Sequence, residues 1–403
     1  MKRQRGFSLI EMLVALAILV TVVGLSIGAL LQAQNASQLV AYQANIQENL
    51  RAGMHFLVRD LMQAGEGIPQ GGISIPNTGT TSSINRPGTA TVFSYPGTVL
   101  TTLPPIFPGS QLGSFPTSLN PVSGAVLTGT TRSDIINVLY ADNILTDSSA
   151  NQFNTYTNPV NSASNPTCGG TISITGASVT LDPACFLMPG STNPIAPGNL
   201  IMFHNGNGTA LEYVTSVAGQ TINFAGGDPA GLNQTGQTRG TVYAIQNFGG
   251  ANGTTPLGTF PPTSITRIWM VTYYLDTTTN PSKPMLVRQV NYPNYPAGAP
   301  ANPPQQIGDS IEALTFSYDI TASVAAAGTY PAGAGNASTP QYPDVPGQIR
   351  AVNIFLGGRS ENSYSAQAQN ASTILHNNLA TQVCPRSLSF TNLYQTQATQ
   401  TSN

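Results

Sequence analysis

Apolar positions along the chain fall into three regimes. From Met12 to Leu31 no side chain is charged, and only Thr21 and Ser26 carry a polar group. Twenty helical residues at 1.5 Å each span about 30 Å, the thickness of a bilayer's hydrocarbon core, so this run predicts a membrane helix. Beyond Leu31 the apolar positions thin to Leu39, Tyr42, Ile46, Leu50, Met54, Leu57 and Leu61. Their three- and four-residue steps mark one face of an amphipathic helix. Glu48, Arg51, Arg59 and Asp60 are expected largely off that face. Gly65, Gly67 and Pro69 stop the pattern. One helix from about Ser8 to Ala64 would be about 85 Å long.

The third regime is strand-like. Residues 69–131 are rich in Pro, Gly, Thr and Ser and read as loop, with short apolar pieces such as TATVFSY as strand candidates. DIINVLYA (134–141) then alternates and is rich in β-formers. NLIMFH and ALEYVTSV flank Asn205-Gly206-Asn207-Gly208, a strong hairpin signal. TINFA and TVYAI follow as strand candidates. RIWMVTYYLD and PMLVRQV are separated by a polar turn at Asn280-Pro281, and SIEALTFSYDI, QIRAVNIFLGGRS and SLSFTNLY complete the set. Many short strands joined by proline-rich loops predict a mainly antiparallel head at 69–403. The fold class is therefore α+β.

What precedes the apolar run sharpens its meaning. Lys2, Arg3 and Arg5 form a basic leader up to Gly6, followed by Phe7-Ser8-Leu9-Ile10-Glu11. A secretory signal peptide would end its apolar region at small residues, and Ala15-Leu16-Ala17 offers such a site. Glu11 would then sit inside the apolar core, and the run continues well past the cut. A plain signal anchor explains the length and the positive-inside leader but not the acid. Burying a carboxylate costs about 2.5–3.5 kcal/mol on insertion scales, and such groups usually have a partner. Cutting after Gly6 would free the amine of Phe7, and such an amine on a neighbouring chain could pair with Glu11.

The residues Gly6-Phe7-Ser8-Leu9-Ile10-Glu11 resemble the cleavage and methylation motif of type IV pilins and pseudopilins. The later segments RDLMQAGEG, SDIINVLYA, PMLVRQV, IEALTFSYDI and IRAVNIFLGGRS occur in the order seen in PilW-like minor pilins, with J-type pseudopilins of type II secretion as a related layout. The resemblance implies a leader at 1–6, a transmembrane and assembly helix at 7–31, an amphipathic continuation at 32–68, and a globular head. It implies cleavage by prepilin peptidase between Gly6 and Phe7, N-methylation of Phe7, and an assembly role for Glu11. The subunit would sit as a single pass in the cytoplasmic membrane, head outside the cytoplasm, and then enter a filament of major and minor pilins. Its expected role is to prime or cap a type IV pilus that serves adhesion, twitching or DNA uptake. A type II secretion pseudopilin and a tip adhesin with a surface or glycan ligand are the alternatives.

Composition narrows this further. Only 7% of the 403 residues are charged, against about 25% in ordinary soluble domains. Such a polar, neutral surface suits an extracellular protein or repeated subunit contacts, or reflects lineage bias. The net charge of −2 includes the leader; without its three basic residues, 11 basic face 16 acidic, or −5. No basic cluster remains, so nucleic-acid binding has little electrostatic support. Cys168 and Cys185 bracket TISITGASVTLDPA, compatible with a hairpin closed by a disulfide in an oxidising compartment, while Cys384 is left over as free or as an exchange partner.

Catalytic chemistry is not visible. The only lysines are Lys2 and Lys283, and neither follows a phosphate-binding glycine loop. Neither G-x-S-x-G nor H-E-x-x-H occurs. His55, His204 and His376 are far apart from each other and from the cysteines, so a zinc site would need ligands from unrelated segments. Calcium at Asp142, Asn143 and Asp147 lacks the D-x-D-x-D spacing, which favours a solvated turn. No enzyme, cofactor or metal is expected.

Overall fold

The computed structural model describes residues 8–69, 72–76, 84–87, 102–119, 125–142, 170–173, 175–181, 195–234, 239–250, 255–261, 263–292, 304–320, 328–330, 349–361, 364–366 and 371–389. One helix, α1 (Leu9–Gln63), leads into an antiparallel β-rich head, the α+β architecture expected. The helix ends where the glycines stand. Gly65 and Gly67 have φ of +82° and +68°, left-handed values that disfavour a side chain. At Gly67 the space is closed as well, because an added Cβ would lie 2.5 Å from that of Ala141. The stop is stitched to the head: Gly65 N–H donates to the Leu139 carbonyl (2.9 Å), and Ala141 N–H to that of Glu66 (2.8 Å).

The main sheet has seven strands: β1 (Ile106–Gly109), β2 (Ile135–Ala141), β3 (Leu200–Asn205), β4 (Gly208–Tyr213), β5 (Ser264–Asp276), β6 (Met285–Val290) and β7 (Gln305–Asp309). Its organiser is β5, which pairs with β3 along Ser264–Ile268, β2 along Ile268–Tyr273, and β6 along Val271–Asp276. The β3–β4 hairpin turns through Gly206 and Asn207, as the sequence predicts, with Asn205 opposite Gly208. A second sheet holds β8 (Ile311–Ile320), β9 (Gly328–Tyr330), β10 (Ile349–Arg359) and β11 (His376–Val383), in the order β9-β8-β10-β11. A small sheet includes the hairpin Gly170–Ile172/Ser178–Leu181, which is the one anticipated between the first two cysteines. Cys168 and Cys185 themselves lie outside the described residues.

The amphipathic half of α1 holds both larger sheets together. Ile46, Leu50, Met54, Leu57 and Leu61 are buried against Val138, Tyr273 and Leu286 of the main sheet and Phe316, Val352 and Leu356 of the second. The predicted face therefore seals only from Ile46 upward; Leu39 and Tyr42 are half-buried. The periodicity misplaces one residue. Asp60, expected largely off the apolar face, is fully buried, because partners on the main sheet meet it there.

Other expectations are corrected. TVYAI is not a strand: Val242–Ile245 forms a 3-10 turn. Thr241 caps it by accepting from Ala244 N–H, and Glu212 Oε1 takes the Val242 N–H (3.0 Å) that a ladder would need. SLSFTNLY begins as a short helix, α2 (Arg386–Ser389), which buries Leu388 against the stem core; residues 390–394 lie outside the described set. The segment read as loop contributes β1 to the main sheet, with Phe107 fully buried; TATVFSY lies outside the described residues. Strands β7 and β11 were not anticipated. Asp142 does not sit in a solvated turn but is buried and ion-paired to Arg267, whose Nε donates at 2.9 Å, while Asn143 and Asp147 lie outside the described residues.

Candidate assembly site on the N-terminal helix

Of the residues singled out at the N-terminus, Gly6 and Phe7 lie outside the described set, and Glu11 lies within it. Ser8 is the N-cap of α1, with extended backbone (φ −70°, ψ 141°). Its hydroxyl accepts from Ile10 N–H (3.4 Å), and Glu11 Oε2 accepts from Ser8 N–H (2.9 Å). The pair forms a reciprocal capping box, which satisfies helix donors that have no partner of their own. The carboxylate also lies where the positive end of the helix dipole favours it. Glu11 thus folds back on its own helix start.

Below this cap the helix surface is apolar all round and uncovered. Leu9 is 83% exposed and Leu25 76%, and among the described residues no part of the apolar run is buried. The helix is long and apolar enough to cross a membrane. The two polar side chains of the run from Met12 to Leu31 are satisfied internally: Thr21 Oγ1 donates to the Ile18 carbonyl and Ser26 Oγ to that of Val22, each at 2.8 Å. No hydroxyl is then left unpaired in hydrocarbon. Gly24 and Gly28, one turn apart, have no heavy atom beyond the local helix backbone within 4 Å of a would-be Cβ, so that face is open to close approach by another helix.

The stem meets the head through a charged cluster that sequence reasoning missed. Asp60 Oδ2 accepts from Tyr273 OH and from Arg288 Nε, both at 2.6 Å, and Oδ1 accepts from Arg59 Nε at 3.2 Å. Burial first, and then the Asp60 charge, push the Tyr273 phenol far above its ordinary value and the nearby Tyr140 phenol up to about 12. Burial would lower Arg288, but its hydrogen bond and attraction to Asp60 outweigh that and raise it. Elsewhere, burial pushes the Glu212 carboxyl well above the usual range, against the pull of the Val242 N–H.

The remaining candidates are dispersed. His55 and His204 are exposed, and His376 lies 2.6 Å from Glu312 at the start of β11. Cys384 is free and exposed. Among the described residues, no group of three or more His, Cys, Asp or Glu side chains is placed to hold a metal ion.

Residues 1–27 match the family model described as the prokaryotic N-terminal methylation motif. No curated protein and no solved structure matches the chain. The motif and the apolar helix together support a type IV pilin-like protein, either a pilin or a pseudopilin, fitted for anchoring in a membrane. They imply processing by prepilin peptidase and assembly with other pilins.

Proposed function

We propose that the chain is a minor structural subunit of a type IV pilus, PilW-like in the order of its segments, that primes or caps the filament. Prepilin peptidase cuts between Gly6 and Phe7 and methylates the new amine. The subunit waits in the cytoplasmic membrane with its head outside the cytoplasm. Assembly then pairs Glu11 with the Phe7 amine of a neighbour. The neutral head faces the surroundings at the filament end, where adhesion, twitching or DNA uptake would draw on it.

The observation that carries this reading is the disproportion between stem and head. Packed helices sit about 8–10 Å apart. The head comprises 335 residues from Pro69 onward. A compact chain of that length has a radius of gyration of about 20 Å, hence a diameter of about 50 Å. A shaft built only of such subunits would crowd its heads, whereas at an end they can splay outward. Quantitative mass spectrometry of sheared filaments tests this: few copies per filament are expected, and a copy number near that of the main pilin would overturn the reading. A pseudopilin of type II secretion shares the N-terminal motif and is the second reading. A deletion strain that loses protein secretion but keeps its pili would establish it.

A further inference from the structure

The capping box ties Ser8 to Glu11, a link that the cleavage motif does not assign. A bare carboxylate at the edge of an apolar helix is costly, and so are helix N–H groups facing hydrocarbon. Here each defect answers the other: Ser8 N–H is held by Glu11 Oε2 at 2.9 Å, and Ile10 N–H by Ser8 Oγ at 3.4 Å. Ser8 also fixes where the helix begins, because its extended backbone precedes the first helical residue, Leu9. The residue whose hydroxyl caps the helix therefore also holds, through its backbone N–H, the acid three residues on.

We propose that Ser8 is a positioning residue for subunit assembly: it holds Glu11 folded against the helix start in the waiting monomer, ready to exchange a neutral amide for a neighbour's amine. This rests on the pilin reading above. The exchange is non-covalent and balanced. The hydrogen bond from Ser8 N–H to Glu11 is given up, and one from the ammonium of the incoming chain replaces it. The waiting carboxylate is never without a donor, and the incoming cation supplies a charge-assisted bond that is stronger than the one lost. Without the Ser8 hydroxyl the first turn frays, the Ser8 amide no longer stays opposite Glu11, and the carboxylate samples positions a neighbour cannot reach.

The test uses full-length protein in its own membrane, comparing Ser8→Ala, Ser8→Val, Ser8→Thr and Ser8→Asn. Threonine and asparagine retain a capping oxygen; alanine and valine do not. The readout is the ratio of each variant in sheared filaments to that in membranes, measured by mass spectrometry. Alanine and valine are expected to lower the ratio about fivefold, the equivalent of the ~1 kcal/mol typical of a lost cap. Threonine and asparagine are expected to stay near wild type, while the membrane level is the same in all four. Equal ratios across the series, or an equal fall in all four, would overturn the proposal. The wild-type control separates this from the pilin reading, because a mature wild-type chain that does not begin at Phe7 removes that reading itself.

Discussion

The stem's hold on the head can be broken at one side chain. Replacing Asp60 by alanine removes the acceptor of Tyr273 OH and the counter-charge of Arg288, while Arg288 stays 8% exposed beneath the stem. Breaking a buried ion pair from one side costs about 3–5 kcal/mol, since the surviving charge is left without compensation. The loss of the phenol's acceptor falls within that figure rather than adding to it, because all three groups share one network. At about 2–4 °C per kcal/mol for large domains, the melting temperature should fall by about 6–20 °C. The chain has one tryptophan, Trp269 on β5, so its fluorescence in detergent-solubilised full-length protein reports unfolding of the main sheet. Asp60→Leu combined with Arg288→Leu should recover most of the loss, because an apolar pair of similar volume is often neutral or stabilising there. A single alanine change costing under about 1 kcal/mol, or a double variant as unstable as the sum of its parts, would refute the coupling.

Three further outcomes are expected. Glu212→Gln keeps an acceptor for Val242 N–H but removes a carboxyl whose folded value is raised by burial. Such a group stabilises the fold below its unfolded value, about 4.3, and loses that contribution as pH rises through the folded one. The variant should therefore melt close to wild type at pH 4 and higher than wild type at pH 8, and a difference that is flat with pH would contradict the assignment. Gly67→Ala should cost about 2–4 kcal/mol, from the left-handed backbone and the contact with Ala141, and more than Gly65→Ala, where the nearest atom is the flexible end of Leu388; the reverse order in thermal melts would discount the close approach. Without reduction, a maleimide should label one thiol per chain, at Cys384, with Cys168 and Cys185 joined; three labelled cysteines in peptide mapping would remove that pairing.

The sequence carries the parts of the fold that depend on local pattern. The run to Leu31, the face from Ile46 to Leu61 and the glycine stop each follow from spacing along one element, and α1 ends within a residue of the expected place. The Asn-Gly turn marks the β3–β4 hairpin for the same reason. What escaped depends on partners far away in the chain. Strand β11, HNNLATQV, has weak β-formers and alternates only through Leu379, Thr381 and Val383; pairing with β10 makes it a strand. TVYAI has strand composition, yet Glu212, 30 residues before Val242, claims the Val242 amide. At the N-terminal end, the Ser8-x-x-Glu11 spacing is a capping-box signature, and it accounts for the bond of Glu11 within its own chain.

Asp60 escaped for a deeper reason, and it bears on why charge is kept there at all. Only 7% of residues are charged, yet Asp60, Arg59 and Arg288 meet where the stem enters the head. An apolar face alone fixes rotation better than height: Leu50, Met54, Leu57 and Leu61 repeat every three or four residues, so a slip of one turn would still present leucine and methionine to the same sheets. Asp60 cannot slip, because Tyr273 and Arg288 offer it two donors at one position only. Polar groups within apolar interfaces have that use in other helical systems, where they set register at some cost in stability. We infer that the cluster, together with the backbone bonds that tie Gly65 and Glu66 to β2, sets the height of the head on the stem. The double variant carrying Asp60→Leu and Arg288→Leu separates this from plain stability. It should keep a melting temperature near wild type while near-UV circular dichroism loses intensity as several registers become populated. An unchanged spectrum at an unchanged melting temperature would show that packing and the backbone bonds at Gly65 and Glu66 set the height without the cluster.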